Sequence, residues 1–373
     1  QTLRGSKFMM IFLNGSDVEF DIGAFGPPFA RFGDNMMIWT FKRRFLTMNH
    51  WCSEIADKLR YTHTLSCVHP MITERLTSSE FQAILREEAA AIVARSPCML
   101  DIDPTMVADC CLYQLFLHCN FHTFHWVAHA SNCCMCDGII QGDRARAISV
   151  ELHGKLNWER GAPLVNGVLR KFMKHTEPPF LILQDDDVYE ERPYRWISVT
   201  SRNTKLHGLQ TIPAAASSFF LAFERSDYPI PLPHGLFEHS NNLGVLVLCC
   251  CAFSFAAPPF LKSHRLRFLG LDCCIDDQTG GGQDHREWAS LYSLWVLHLS
   301  YTDWNEILSE EKMDLMTNIK ELNIEGTRCW QYIADLQGRL PNLQRLRIIK
   351  PTCQWETSRD VGNSFMDKTR IEI

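Results

Sequence analysis

The chain has 373 residues, 46% of them hydrophobic and 21% charged, which is enough apolar side chain for more than one core and excludes a disordered or fibrous protein. Its 37 basic against 43 acidic side chains leave a net charge of −6, so nucleic acid and anionic membranes find no basic footprint here. The length accommodates two or three domains at about 150 residues each, and no membrane span is expected, because Pro258 and Pro259 interrupt the apolar stretch 243–261.

An apolar segment follows Gln1 within ten residues, and the chain reads as a piece of a longer protein. Residues 8–13 (FMMIFL) and 36–39 (MMIW) are short apolar runs without alternation, the pattern of strands buried on both faces of a parallel sheet. Gly23, Gly26, Pro27 and Pro28 mark the connection between them. A helix is predicted from Thr77, where Thr77 and Glu80 form a capping box and Phe81, Ile84, Leu85, Ile92 and Val93 keep helical spacing up to Pro97. A second begins near Pro104 and carries Val107, Cys111, Leu112, Leu115 and Phe116 on one side. A third covers 164–173, and 178–202, with its acidic cluster 185–187, reads as a junction.

From there the pattern L-x-x-L-x-L recurs at Leu243/Leu246/Leu248, Leu266/Leu269/Leu271, Leu294/Leu297/Leu299, Ile319/Leu322/Ile324 and Leu343/Leu346/Ile348, with a weaker copy at Ser218/Leu221/Phe223. A period of about 20–29 residues is that of leucine-rich repeats, in which each unit gives one short strand and stacking builds the core. Cys251, Cys274, Thr302 and Thr327 stand three positions beyond the last apolar residue of their units, where a small polar group can bond the turning backbone. Alternation places Val245, Val247, Phe268, Gly270, Val296, His298, Glu321, Asn323, Arg345 and Arg347 on the opposite, concave face. That face grades from apolar to charged. Its early residues are expected to pack on the preceding helices, and Glu321, Arg345 and Arg347 to face an external protein.

Sixteen cysteines come largely in adjacent runs, which suits free core thiols in a reducing, cytoplasmic setting. His125/His129 with Cys133/Cys136 imitates a zinc ligand set, but only three residues separate the pairs, too few for a finger loop. No metal is expected.

The order of segments resembles the plant nucleotide-binding (NB-ARC) leucine-rich-repeat immune receptors, the cereal disease resistance proteins in particular. Residues 7–16 (KFMMIFLNGS) resemble the family's Walker B strand and 33–43 (GDNMMIWTFKR) the strand after it; 81–95 is similar to its helical segment, 109–118 (DCCLYQLFLH) and 137–140 (DGII) to its winged-helix subdomain, and 164–173 (LVNGVLRKFM) falls at its Met-His-Asp motif. The resemblance implies an α/β fold: a remnant of the nucleotide-binding core over 1–60, a helical segment over 61–100, a winged-helix-like part over 101–180, a junction over 181–217, and a repeat solenoid over 218–373.

The nucleotide machinery departs from that pattern. No G-x-x-x-x-G-K-[ST] loop is present; Asn14 and Gly15 stand where the family has two aspartates, and Val165, Asn166 and Gly167 replace Met-His-Asp. An amide and a hydrogen cannot carry the charge that a magnesium shell needs. ATPase activity is therefore not expected, and no cofactor is, ADP or ATP being implied by the resemblance alone. What the resemblance implies is a plant-defence protein whose repeats recognise a pathogen effector or a guarded host protein. The alternative is a free-standing repeat scaffold or decoy without a signalling role.

Overall fold

The computed structural model describes residues 9–15, 36–41, 77–120, 126–155, 179–184, 187–224, 229–278, 287–327, 336–349 and 370–372. The chain is mixed α/β with a mostly parallel sheet. The strands β1 (Met9–Gly15) and β2 (Met36–Phe41) pair in parallel, as their unbroken apolar runs lead one to expect.

Helix α1 (Ser78–Arg95) starts at the anticipated capping box: the Glu80 amide donates to Thr77 Oγ1 at 3.3 Å, and the Thr77 amide donates to Glu80 Oε2 at 2.8 Å. Its buried stripe of Phe81, Leu85, Ala89, Ile92 and Val93 lies in a core shared with α2 (Pro104–Asn120), α3 (Trp126–Asp137) and α4 (Ala145–Lys155). The third arises from a Cys- and His-rich stretch, and neither it nor the fourth was marked as a helix by its own pattern. The helix expected over 164–173, with Val165, Asn166 and Gly167, lies outside the described residues.

A nine-stranded sheet follows. Its strands are β3 (Phe180–Leu183), β4 (Trp196–Ser201), β5 (Ser218–Phe223), β7 (Val245–Cys249), β9 (Phe268–Asp272), β11 (Val296–Ser300), β12 (Glu321–Glu325), β13 (Arg345–Ile349) and β14 (Arg370–Glu372). They lie side by side in chain order, parallel except for β14, which runs antiparallel to β13. Alongside, β6 (Ile230–Pro231), β8 (Cys251–Phe253) and β10 (Ile275–Asp276) form a small parallel ribbon.

The register is the repeat. Leu246, Leu269, Leu297, Leu322 and Leu346 are successive partners in one row, and Leu248, Leu271, Leu299, Ile324 and Ile348 in another. Both rows fall in one apolar core together with Trp288 and Trp304, which lie under the linking segments. Burying each leucine contributes about 1.5–3 kcal/mol, and no single strand could do it alone.

Two expectations about where the series begins are corrected. The partners of Leu246 and Leu248 in β5 are Phe219 and Leu221, so the weak copy is Ala216/Phe219/Leu221, two residues from the Ser218/Leu221/Phe223 alignment. The expected junction 181–217 holds β4 and most of β3, whose Ile197/Val199 and Leu181/Leu183 extend the same rows. Aromatic and β-branched side chains fill those rungs as well as leucine does, but they break the leucine pattern.

In the nine-stranded sheet, β7, β9, β11 and β12 are each followed by a residue in the left-handed region: Cys250 (φ 56°), Cys273 (φ 52°), Tyr301 (φ 46°) and Gly326 (φ 65°). Their amides donate to the last carbonyl of the next strand, from Cys250 to Asp272, Cys273 to Ser300, Tyr301 to Glu325 and Gly326 to Ile349, at 2.8–2.9 Å. The small residues one or two positions on then hold the turn. Thr302 Oγ1 accepts from the Cys274 amide at 3.0 Å and donates to the Ser300 carbonyl at 2.9 Å, and the thiols of Cys251 and Cys274 donate to the carbonyls of Cys249 and Leu248.

Candidate protein-contact site

The alternate face of the sheet is the surface expected to meet a partner, and the chain covers most of it with its own helices. Val245, Val247, Phe268 and Val296 belong to the same core as α1 to α4. At Gly244 a Cβ would run into the Cys136 carbonyl at the end of α3. Only glycine lets the helix end sit this low on the strand.

Polar anchors fix the helix end. The Asp137 carboxylate, out of contact with solvent, accepts from Arg195 Nη2 at 2.9 Å and from the hydroxyls of Ser217 and Ser218 at 2.6 Å each. The Tyr113 hydroxyl lies 2.8 Å from Ser218 Oγ, joining α2 to the same strand, and burial pushes its phenol well above the ordinary range. Arg195 therefore balances a carboxylate that would be costly to bury alone.

Further along the sheet the seam changes from apolar to polar. His129 of α3 contacts His298 of β11 with Nε2 and Nδ1 3.0 Å apart, and its ring stands edge-on to Phe268, centroids 5.4 Å apart. Glu321 Oε1 lies 3.9 Å from His129 Nδ1 and accepts from Asn323 Nδ2 at 3.0 Å, while Glu321 Oε2 accepts from Arg345 Nη1 at 3.0 Å. Arg146 of α4 donates to Gln344 beside Arg345. Trp295, at the foot of β11, has the Arg267 guanidinium 4.5 Å and the Lys320 ammonium 4.0 Å from its ring centroid, a cation–π clasp worth about 0.5–1 kcal/mol per cation at a partly exposed site.

Of the residues placed on the concave face, Val245, Val247, Phe268, Val296, His298, Glu321 and Asn323 are thus buried inside the chain, Val245, Val247 and Phe268 against the helices they were expected to meet. Glu321, placed at a partner surface by the sequence reading, is 3% exposed because α3 supplies His129 above it and Arg345 closes its second oxygen. Arg345 is exposed and Arg347 half-buried. Among the described residues, the strand surface open to another molecule is reduced to this end of the sheet.

The remaining candidates fall as follows. Asn14 and Gly15 end β1. His125 and the glycine triplet 280–282 lie outside the described residues. His129, Cys133 and Cys136 share a face of α3, and no group of three or more metal-ligating side chains that could hold an ion occurs among the described residues. Cys133 and Cys136 are buried, and desolvation pushes both thiols up. Asp137, Arg195, Ser217 and Tyr113 had no signal in the sequence, because each is one polar residue whose partner lies on a distant element. Among the described residues no helix is long and apolar enough to cross a membrane. Comparison with family models, curated proteins and solved structures gives no match.

Proposed function

We propose that this chain is the recognition part of a leucine-rich-repeat protein of the NLR immune-receptor kind, its helices 78–155 serving as the winged-helix side that clamps the repeat face. Recognition of a pathogen effector or a guarded host protein then falls to the uncovered end of the sheet, at Arg345 and Arg347. The observation that carries this reading is the row Leu246–Leu269–Leu297–Leu322–Leu346, five neighbouring rungs at the period of a leucine-rich repeat. The gradient across the other face supports it, since apolar rungs suit a permanent internal contact and charged rungs a reversible external one. The cytoplasm and plant defence follow from the family resemblance.

Arg345 neutralises the buried Glu321, so the variant that tests contact without disturbing the seam is Arg345→Lys, which keeps a cation on Glu321 but loses the guanidinium fork, combined with Arg347→Glu. Binding is measured by titration against a panel of secreted pathogen proteins and their host targets. Wild-type chain is expected to bind at least one, and the double variant to lose about tenfold or more in affinity while its circular dichroism is unchanged. Equal affinity in both would reject the site. A parallel titration with ADP is expected to show no binding, and a micromolar dissociation constant would show that the nucleotide switch survives.

A further inference from the structure

Three thiol pairs bridge neighbouring elements among the described residues: Cys110–Cys134 between α2 and α3, and Cys251–Cys274 and Cys250–Cys273 between successive rungs of the sheet. The first two are sealed. Cys110 is pushed well above the ordinary thiol range by its contact with Cys134 and by burial, and Cys251 by burial and by Cys274. Cys250 differs: its contact with Cys273 holds it below the usual value against the opposing effect of burial, and it is 9% exposed, at the edge of the core. Cys273 is partly exposed, and its Sγ lies 3.7 Å from Asp272 Oδ1.

The geometry suits a covalent bridge. Cys249 and Asp272 are register partners, so Cys250 and Cys273 follow side by side at the ends of β7 and β9. Parallel neighbours lie about 4.8 Å apart, inside the window of about 4.4–6.8 Å between Cα atoms that a disulfide spans. Both residues take the same left-handed backbone, so their side chains leave the two strands in the same direction.

We propose that Cys250 and Cys273 are a thiol-modification site at the rim of the sheet, which a small disulfide such as oxidised glutathione converts into a cross-rung disulfide. The partly exposed Cys273 gives up its proton and attacks one glutathione sulfur, the glutathione S–S bond breaks, and one glutathione leaves as the thiol. Cys250 then gives up its proton and attacks Cys273 Sγ, expelling the second glutathione. Two protein thiols are oxidised and one glutathione disulfide is reduced to two thiols, so no further oxidant is needed. The bridge ties β7 to β9 without requiring either strand to leave its register.

The unmodified chain is incubated with oxidised glutathione under native conditions, alkylated, digested and mapped by mass spectrometry. The expected product is a linked peptide pair joining Cys250 to Cys273, two hydrogens lighter than the reduced peptides and released by dithiothreitol. Cys110, Cys251 and Cys274 should be alkylated only after denaturation. In Cys250→Ser the reaction should stop at a glutathione adduct on Cys273. In untreated wild-type chain, which needs no variant to fold, iodoacetamide should label Cys273 at least about tenfold faster than Cys251. Equal labelling rates, or a folded chain that shows no Cys250–Cys273 linkage at any glutathione concentration, would overturn the assignment.

Discussion

His129 on α3 and His298 on β11 meet at 3.0 Å, Nε2 to Nδ1, with both side chains shielded from water. The pair joins a helix to the middle of a sheet at the point where an apolar seam turns polar. Replacing His298 by leucine removes His129's ring partner beside Glu321 and should destabilise the fold by about 1–3 kcal/mol. His129→Leu with His298→Leu should cost less than the sum of the two single changes. Urea unfolding of the four proteins measures the difference, and strict additivity would mean that the two rings do not support each other.

Leu297 stands at the centre of the row with neighbours on both sides and no exposed surface. Leu297→Ala is expected to cost about 2–5 kcal/mol, the range for a leucine deleted from a tight core. Because each rung is a neighbour's support, the loss should appear as one cooperative transition shifted to lower denaturant.

Gly244→Ala tests the helix–sheet approach. The added methyl meets the Cys136 carbonyl, which has little room to retreat because the next residue, Asp137, is held by Arg195, Ser217 and Ser218. A loss of about 1–3 kcal/mol is expected. Hydrogen exchange should locate it in α3 and in strands β5 to β9.

His153 of α4 is half-buried with Nδ1 3.4 Å from Gln114 Oε1, and desolvation lowers its pKa from the ordinary 6.5. The folded state therefore binds this proton less readily than the unfolded state does, so protonation favours unfolding. Its contribution to stability is complete above pH 6.5 and is lost as the pH falls from there through the lower folded value. Thermal melts between pH 7.5 and 5 should show this decline, and His153→Gln should flatten it.

Legibility in the sequence followed the chemistry of each element. The leucine rows could be read because leucine or isoleucine recurs at one spacing within each of five units, and the alternation of a strand then assigned the two faces. The first rungs could not, since Ile197, Val199 and Phe219 fill the same core positions with other shapes. Helix α3 was hidden by its own composition: Cys133, Cys134 and Cys136 are buried as small apolar residues, but a run rich in Cys and His lacks the leucine stripe by which a helix shows itself. The face gradient and the packing of its first residues on the helices were anticipated, but the cover over Glu321 was not. Asp137 and Arg195 are 58 residues apart, and nothing local in either segment announces the other.

Among the described residues the sheet face is sealed by the chain's own helices, with only its last rungs open. Hydroxyl-radical footprinting of the native chain, resolved by residue, tests this most directly. Tyr292 and Tyr301, 45% and 56% exposed, are expected to be heavily oxidised, while Phe220, Phe268 and His298 remain protected until the chain unfolds. Oxidation of Phe268 and His298 at rates matching Tyr301 in folded protein would mean that the helices do not cover the sheet, and would return the whole face to the list of surfaces open to a partner.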